Sequence, residues 1–224
     1  MIVSEDWTAA YPGACVGLLL MSGVCNPERD PNLDALLDET ATGLRERWTG
    51  ASRADLLAVP DLAAYAAHYR RFDKTYHVLL QIESVALKGK PLRARGALVA
   101  AMFRAELETG LLTAGHDAAL LSGELTLDVV AAGDAYMGIG GREISGAPGD
   151  MCIRDGAGVI SSVVYGPDER TRLREGTTRA TFTTYAPAGV APQVLIRHME
   201  TLAAGIRVFA PGAVVESLGV VPGS

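Results

Sequence analysis

The stretch Pro12-Gly13-Ala14-Cys15-Val16-Gly17-Leu18-Leu19-Leu20-Met21-Ser22-Gly23 sets the architecture. Its apolar run from Cys15 to Met21 lies between a Pro-Gly and a Ser-Gly turn signal, the pattern of a short, fully buried strand. A well-marked helix follows. Asp30 is placed as N-cap with Pro31 at the first helical position, and Leu33, Leu36, Leu37, Ala41, Leu44 and Trp48 make one apolar stripe before Gly50 stops it. So regular a stripe predicts that Leu36, Leu44 and Trp48 pack on the sheet containing Val16 to Leu20.

Outward from this pair, helices are predicted over 61–72, where Leu62, Tyr65, His68, Tyr69 and Phe72 recur at helical spacing, over 78–87 up to Gly89 and Pro91, and over 97–108 up to Gly110. The character of the chain then changes. Leu125, Leu127 and Val129 alternate with polar neighbours as in a half-buried strand, and Met151–Arg154 and Val159–Tyr165 are β-rich runs joined by Asp155-Gly156, a tight-turn dipeptide. Arg179 to Tyr185 supplies another strand, and Pro192 opens a helix carrying Val194, Leu195, Met199, Leu202 and Ile206. This order predicts an α+β fold, a central and mostly antiparallel sheet flanked by helices, as a single domain over 1–224.

At 224 residues with 49% hydrophobic and 21% charged residues, the chain falls outside the disordered, collagen-like and coiled-coil classes. Its 26 acidic and 20 basic residues leave a net charge of -6, so nucleic acid can be met only by a local basic face, and DNA is not an expected partner. No apolar run approaches the ~20 residues of a membrane helix and no leader pattern opens the chain, which predicts a cytoplasmic protein without membrane contact. Three cysteines without a CxxC pair, Cys15, Cys25 and Cys152, predict core packing and neither disulfides nor a metal site. No cofactor is expected.

No G-x-S-x-G, H-E-x-x-H or Walker loop is present. Gly138, Gly140 and Gly141, between strand-like segments, read as a tight irregular turn, with close backbone approach to a ligand as the functional alternative. His68 and His198 belong to helical patterns and His77 sits near a helix start, and all three read as packed or surface residues. His116 stands in Gly115-His116-Asp117 after a helix and its loop, a placement that favours a site residue, with a pKa near ~6.5 suited to proton transfer; Asp117 reads equally as a helix cap. After the Gly166-Pro167 turn, the run Asp168-Glu169-Arg170-Thr171-Arg172 reads first as a solvated loop with internal ion pairs. Its functional alternative is a carboxylate for an amino group or water, flanked by arginines for phosphate. Lys88, Lys90, Arg93, Arg95 and Arg104 make a second basic stretch, a phosphate-binding edge or a set of helix-end charges.

Taken in order, the buried strand, the Pro31 to Trp48 helix, Lys88-Gly89-Lys90-Pro91-Leu92, Gly110-Leu111-Leu112-Thr113-Ala114-Gly115-His116-Asp117, Glu169-Arg170-Thr171 and Thr177-Thr178 resemble the free-standing form of the B3/B4 domain of the phenylalanyl-tRNA synthetase beta subunit, over roughly residues 12–210. That resemblance implies an α+β fold, an aminoacyl-tRNA-like ligand and ester hydrolysis of the editing type. It places the family histidine on His116 and the acidic residue of a GGE segment on Glu169, with Pro167 and Asp168 where the family has glycines. Where the family carries asparagines and an aspartate, this chain has Arg93-Ala94-Arg95-Gly96-Ala97, Ala100 and Phe103. An activated ester needs a positioned water and oxyanion donors rather than a nucleophile. The implied roles are therefore Glu169 for the ammonium, His116 for the sugar or water, and amides around Gly140-Gly141 for the carbonyl oxygen. Asp117 and Thr171 complete the substrate site, and Lys88, Lys90, Arg93, Arg95, Arg170, Arg172 and Arg174 form the tRNA contact. A non-catalytic module for a small amino-acid-like or nucleoside ligand is the competing reading, in keeping with the acidic net charge. The oligomeric state is left open.

Overall fold

In chain order the computed structural model, which describes residues 1–222, runs β1 (Ile2–Val3), α1 (Glu5–Ala10), β2 (Cys15–Ser22), α2 (Pro31–Arg47), α3 (Arg53–Leu57), α4 (Pro60–Arg70), α5 (His77–Ile82) continued by a π-helical turn (Glu83–Leu87), α6 (Ala97–Thr109), β3 (Leu112–Asp117), a 3-10 turn (Ala118–Leu120), β4 (Thr126–Val129), β5 (Ala135–Gly138), β6 (Arg142–Ser145), β7 (Met151–Asp155), β8 (Gly158–Ser162), β9 (Gly166–Pro167), β10 (Arg179–Ala186), α7 (Pro192–Phe209) and β11 (Val214–Pro222). Gly223 and Ser224, the end of the expected 1–224 domain, lie outside the described residues.

The α+β class is as the sequence predicts, but the strands divide into three sheets instead of one. An antiparallel sheet has the order β11-β2-β10-β3; a second, β1-β4-β7-β8-β9, is antiparallel except for the β1/β4 pair; and β5-β6 form a separate hairpin. Alternation in a sequence reports that a face is buried and does not name the strand alongside. The β7–β8 pair turns one residue later than expected, at Gly156-Ala157 with Asp155 still paired to Gly158, and the strand ends at Ser162, Val163 to Tyr165 forming a turn.

β2 lies between β10 and β11, and its odd-numbered face, Leu19 and Met21, is sealed by α6 and α7. Gly17 admits that approach: a Cβ there would stand 3.1 Å from the Met199 methyl and 3.2 Å from Leu195 Cδ2. On the opposite face Leu18 and Leu20 are only half-buried, so the run is not enclosed on both sides along its whole length.

Helix α2 begins as read, with the Asp30 carboxylate accepting the Asn32 and Leu33 N–H groups and Pro31 at the first position. Its partners differ from the expectation. α2 packs on α6, α7 and the π-helical turn rather than on the sheet, because α6 and α7 already occupy the layer between. Leu33, Leu37, Ala41 and Leu44 are buried, whereas Leu36 and Trp48 are half-buried at the margin and the Arg47 guanidinium covers the Trp48 ring at 5.2 Å.

Two buried tyrosines clamp α4 and the head of α5 to the start of β3. Tyr65 and Tyr76 stack with ring centres 4.6 Å apart, the Tyr76 hydroxyl donates to the Gly110 carbonyl at 2.9 Å, and the Tyr65 hydroxyl accepts the Leu112 N–H while donating to the Tyr185 carbonyl. Gly110, at φ 78°, ends α6 in the left-handed conformation, and the chain enters β3 at Leu112 without a loop. Gly115-His116-Asp117 therefore sits on a strand, against the expectation of a loop. Among the described residues no helix is long and apolar enough to cross a membrane.

Because Leu37 is 1% exposed and Leu36 only half-buried, Leu37→Ala is expected to lose about 2–5 kcal/mol of unfolding free energy and Leu36→Ala clearly less. Urea unfolding of both variants checks this; equal losses would displace α2 from its observed packing.

A candidate ligand-binding cleft

A cleft of about 770 Å³ opens beside the free edge of β3. One wall is the face of α6 that carries Val99, Met102, Phe103 and Glu106, positions a helix brings together every three to four residues. The other wall is the β5–β6 turn, at Ile139 and Gly140, with Pro167, Glu169, Arg172 and Leu173. Leu112 to Gly115 form the back, and His77, Tyr185, Arg95, Ala94, Ser162 and Gly166 complete the lining. Gly115 keeps this strand close to both walls, since a Cβ there would lie 2.7 Å from the Met102 sulfur and 2.8 Å from Leu173 Cδ1. Along β3 the Thr113 N–H goes to Glu106 Oε1 and the Asp117 N–H to the Thr171 carbonyl, so odd-numbered amides point away from β10. The Gly115 amide, between them, points out of the same edge, beside Leu173.

At the exposed end, Glu169 Oε1 accepts Arg172 Nε at 2.5 Å and Oε2 accepts the Gly140 N–H at 3.0 Å. The Gly140 amide and then Arg172 hold this carboxyl below the usual glutamate range. Gly140 at φ 90° and Gly141 at φ 75° make the tight turn that the glycine pattern predicts. Their amides are already committed, Gly140 to Glu169 and Gly141 to the Gly138 carbonyl at 3.1 Å, so the expected pair of carbonyl-oxygen donors is not available there.

His116 does not reach the cleft surface. It is 0% exposed, with Nδ1 2.7 Å from the Thr171 hydroxyl. That hydroxyl donates to Asp168, so it accepts from the ring, the proton sits on Nδ1, and Nε2 is left without a partner among the described residues. Burial, with a smaller contribution from Arg170 against an opposing one from Asp155, pushes the His116 pKa down to about 4. Asp117 caps the 3-10 turn through the Ala119 N–H and accepts the Thr177 hydroxyl. His116, Asp117 and Thr171 thus fasten the 168–172 segment to β3 and line no part of the cleft. The segment is not the solvated loop of the first reading either: Asp168 and Thr171 are buried, and burial raises the Asp168 pKa.

Of the seven predicted RNA contacts, Arg95 and Arg172 line the cleft. Lys88 pairs with Glu83 at 2.7 Å, Arg93 with Asp38 at 2.8 Å and Arg170 with Asp155 at 2.8 Å, while Lys90 and Arg174 are exposed elsewhere. Cys15 and Cys152 are buried as expected; Cys25 is exposed. His68 and His198 are packed, His68 Nε2 lying 2.9 Å from Asp150 and His198 between the hydroxyls of Thr109 and Thr113.

Sequence reading missed two cleft residues. His77 enters from α5; the Tyr69 hydroxyl donates to the Val163 carbonyl at 2.6 Å, so it accepts from His77 Nδ1 at 3.1 Å, which leaves Nε2 unprotonated. A lone histidine at a helix start carries no signal of this. Glu106 does carry one, a carboxylate in register with Val99, Met102 and Phe103 on an otherwise apolar helix face.

The fold is thus α+β, with a largely apolar cleft bordered by the Glu169 carboxylate and two arginines. No family model matches the chain and no curated protein matches it. Among solved structures it is similar to an N-terminal fragment of the phenylalanyl-tRNA synthetase beta subunit from Pyrococcus horikoshii, at 10% sequence identity and a TM-score of 0.45, the match covering 96% of this chain and 49% of that one. The chain spans about half the length of that fragment.

Thr171→Val removes the hydroxyl shared by His116 and Asp168 and is expected to lose about 1–3 kcal/mol in urea unfolding, while Thr171→Ser retains most of it; parent-like stability of the valine variant would remove this contact from the fold. His116 and His198 take up protons near pH ~6.5 when unfolded but only near 4 and 3 when folded. Between those values the unfolded chain binds more protons, so stability falls as the pH drops below about 6.5. A pH series of melting temperatures checks the direction.

Proposed function

We propose that the cleft binds an aminoacyl group carried at the 3′ end of a tRNA, and that its chemistry is hydrolysis of the aminoacyl ester. The observation that supports this most directly is Glu169, a carboxylate whose side chain is 34% exposed at the mouth of a largely apolar cleft. An α-ammonium group pairs with it, the amino-acid side chain enters between Met102, Phe103 and Leu112, and Arg95 and Arg172 meet the phosphate of the terminal nucleotide. Water attacks the ester carbonyl carbon, the Gly115 N–H faces the developing oxyanion, and the tRNA hydroxyl leaves. His116 acts in this reading as a positioning residue, holding the segment that carries Glu169 through Thr171.

The second reading, a non-catalytic module for a small amino-acid-like ligand, is favoured by the ion pairs that occupy Lys88, Arg93 and Arg170. Release of amino acid from a panel of mischarged tRNAs separates the two. The first reading expects a parent rate above the no-protein control, lowered at least about tenfold in Glu169→Ala, since removing one charged contact costs on the order of 1.5–3 kcal/mol. It also expects a shallow salt dependence of tRNA binding, a slope of about -1.4 for two phosphates on a single strand, flattened when Arg95 and Arg172 are both replaced by alanine. No release together with saturable binding of amino-acid amides leaves the small-ligand module; neither release nor binding rejects both.

A further inference from the structure

The proposed chemistry leaves one carboxyl of the cleft unused. Glu106 is 1% exposed at the inner wall, one turn beyond Met102 and Phe103 on α6. Its single protein donor is the Thr113 N–H, 2.8 Å from Oε1, and Oε2 has no partner among the described residues. The titratable groups packed around it are Tyr65 and Tyr69 from α4, Tyr76 just ahead of α5, His77 at the head of α5, and His198 from α7 across Thr113. Burial keeps the three phenols protonated and lowers both histidines, so none of them supplies a positive charge. The cations of the cleft, Arg95 and Arg172, belong to its exposed end, where Arg172 pairs with Glu169.

A buried carboxyl oxygen without a donor is costly, and an apolar residue at position 106 would avoid that cost. The cleft therefore has two carboxyls, one at the mouth and one inside, separated by apolar surface. Resting on the aminoacyl reading above, we propose that the cleft selects an aminoacyl group with a long basic side chain: α-ammonium on Glu169, methylene stem along Val99, Met102 and Leu112, terminal ammonium on Glu106 Oε2. Long cationic side chains bury their stems against apolar walls in this way.

In the free protein burial pushes the Glu106 pKa up to about 8, so at neutral pH the carboxyl is protonated. An arriving ammonium keeps its own proton and the carboxyl ionises, releasing one proton to solvent. Binding of such a ligand tightens as the pH rises towards about 8. A ligand whose side chain ends in a methyl group takes up the same cleft without this exchange.

Calorimetric titration of the full chain with lysinamide and norleucinamide at pH 6, in two buffers of different ionisation enthalpy, tests the assignment. Lysinamide is expected to bind about tenfold more tightly, the scale of one charge-assisted contact, and to release close to one proton more than norleucinamide. In Glu106→Gln the preference and the extra proton are lost. Should that variant not fold, the comparison of the two amides on the parent still decides. Equal affinities with equal proton release overturn the basic side-chain assignment and leave the aminoacyl reading standing. Binding of neither amide overturns both, and a lysinamide preference that survives Glu106→Gln removes Glu106 from the site.

Discussion

The Asp117 N–H donates to the Thr171 carbonyl at 2.7 Å, and the Thr171 side chain then bonds both His116 and Asp168. Through this short stretch the edge strand of the four-stranded sheet is tied to the segment leaving the five-stranded one, with His116 and Arg172 forming a bridge. Asp168 in turn bridges Gly138, and the Glu169 N–H donates to the Met137 carbonyl at 2.8 Å, so the β5–β6 hairpin is hung from the same seam. The wall of the cleft opposite α6 depends on these contacts. His116 is enclosed by this seam and kept neutral by burial, so the most chemically suggestive residue of the sequence is sealed in.

The seam and the cleft floor place opposite demands on pH. Holding His116 and His198 neutral makes acid destabilising, whereas holding Glu106 protonated makes base destabilising: its folded pKa of about 8 lies above the ~4.3 of a free glutamate, so the stability it contributes is lost as pH rises between them. A fold that keeps three ionisable side chains uncharged in its interior is most secure near neutrality.

Much of the fold was legible. Asp30 and Pro31, Gly110 and Pro192 each act within a few residues of themselves, and each marks the element boundary it was expected to mark. The site was legible only in part. Glu169, Gly140, Arg95 and Arg172 were singled out and line one cleft, but Asp117 and Thr171 serve the seam, and the Gly140 and Gly141 amides serve the turn. Polar residues in a Gly-His-Asp or Glu-Arg-Thr triplet look alike whether they face a ligand or each other, since a hydrogen bond partner far along the chain leaves no local trace.

The sequence by itself determined the helices that open at Pro31 and Pro192 and the one that stops at Gly110, the extended runs of β2, β7 and β10, and which faces are apolar: these follow from backbone preferences and periodicity, which act over one or two turns. Only the tertiary structure decided that α2 rests on helices and not on the sheet, that the strands divide into three sheets, that His116 points inward while His77 and Glu106 reach the cleft, and that Lys88, Arg93 and Arg170 are spent on carboxylates. Each of those outcomes turns on which distant surface arrives against a given face. That is a competition among whole-chain packings for buried area and satisfied hydrogen bonds, and no window of sequence contains it.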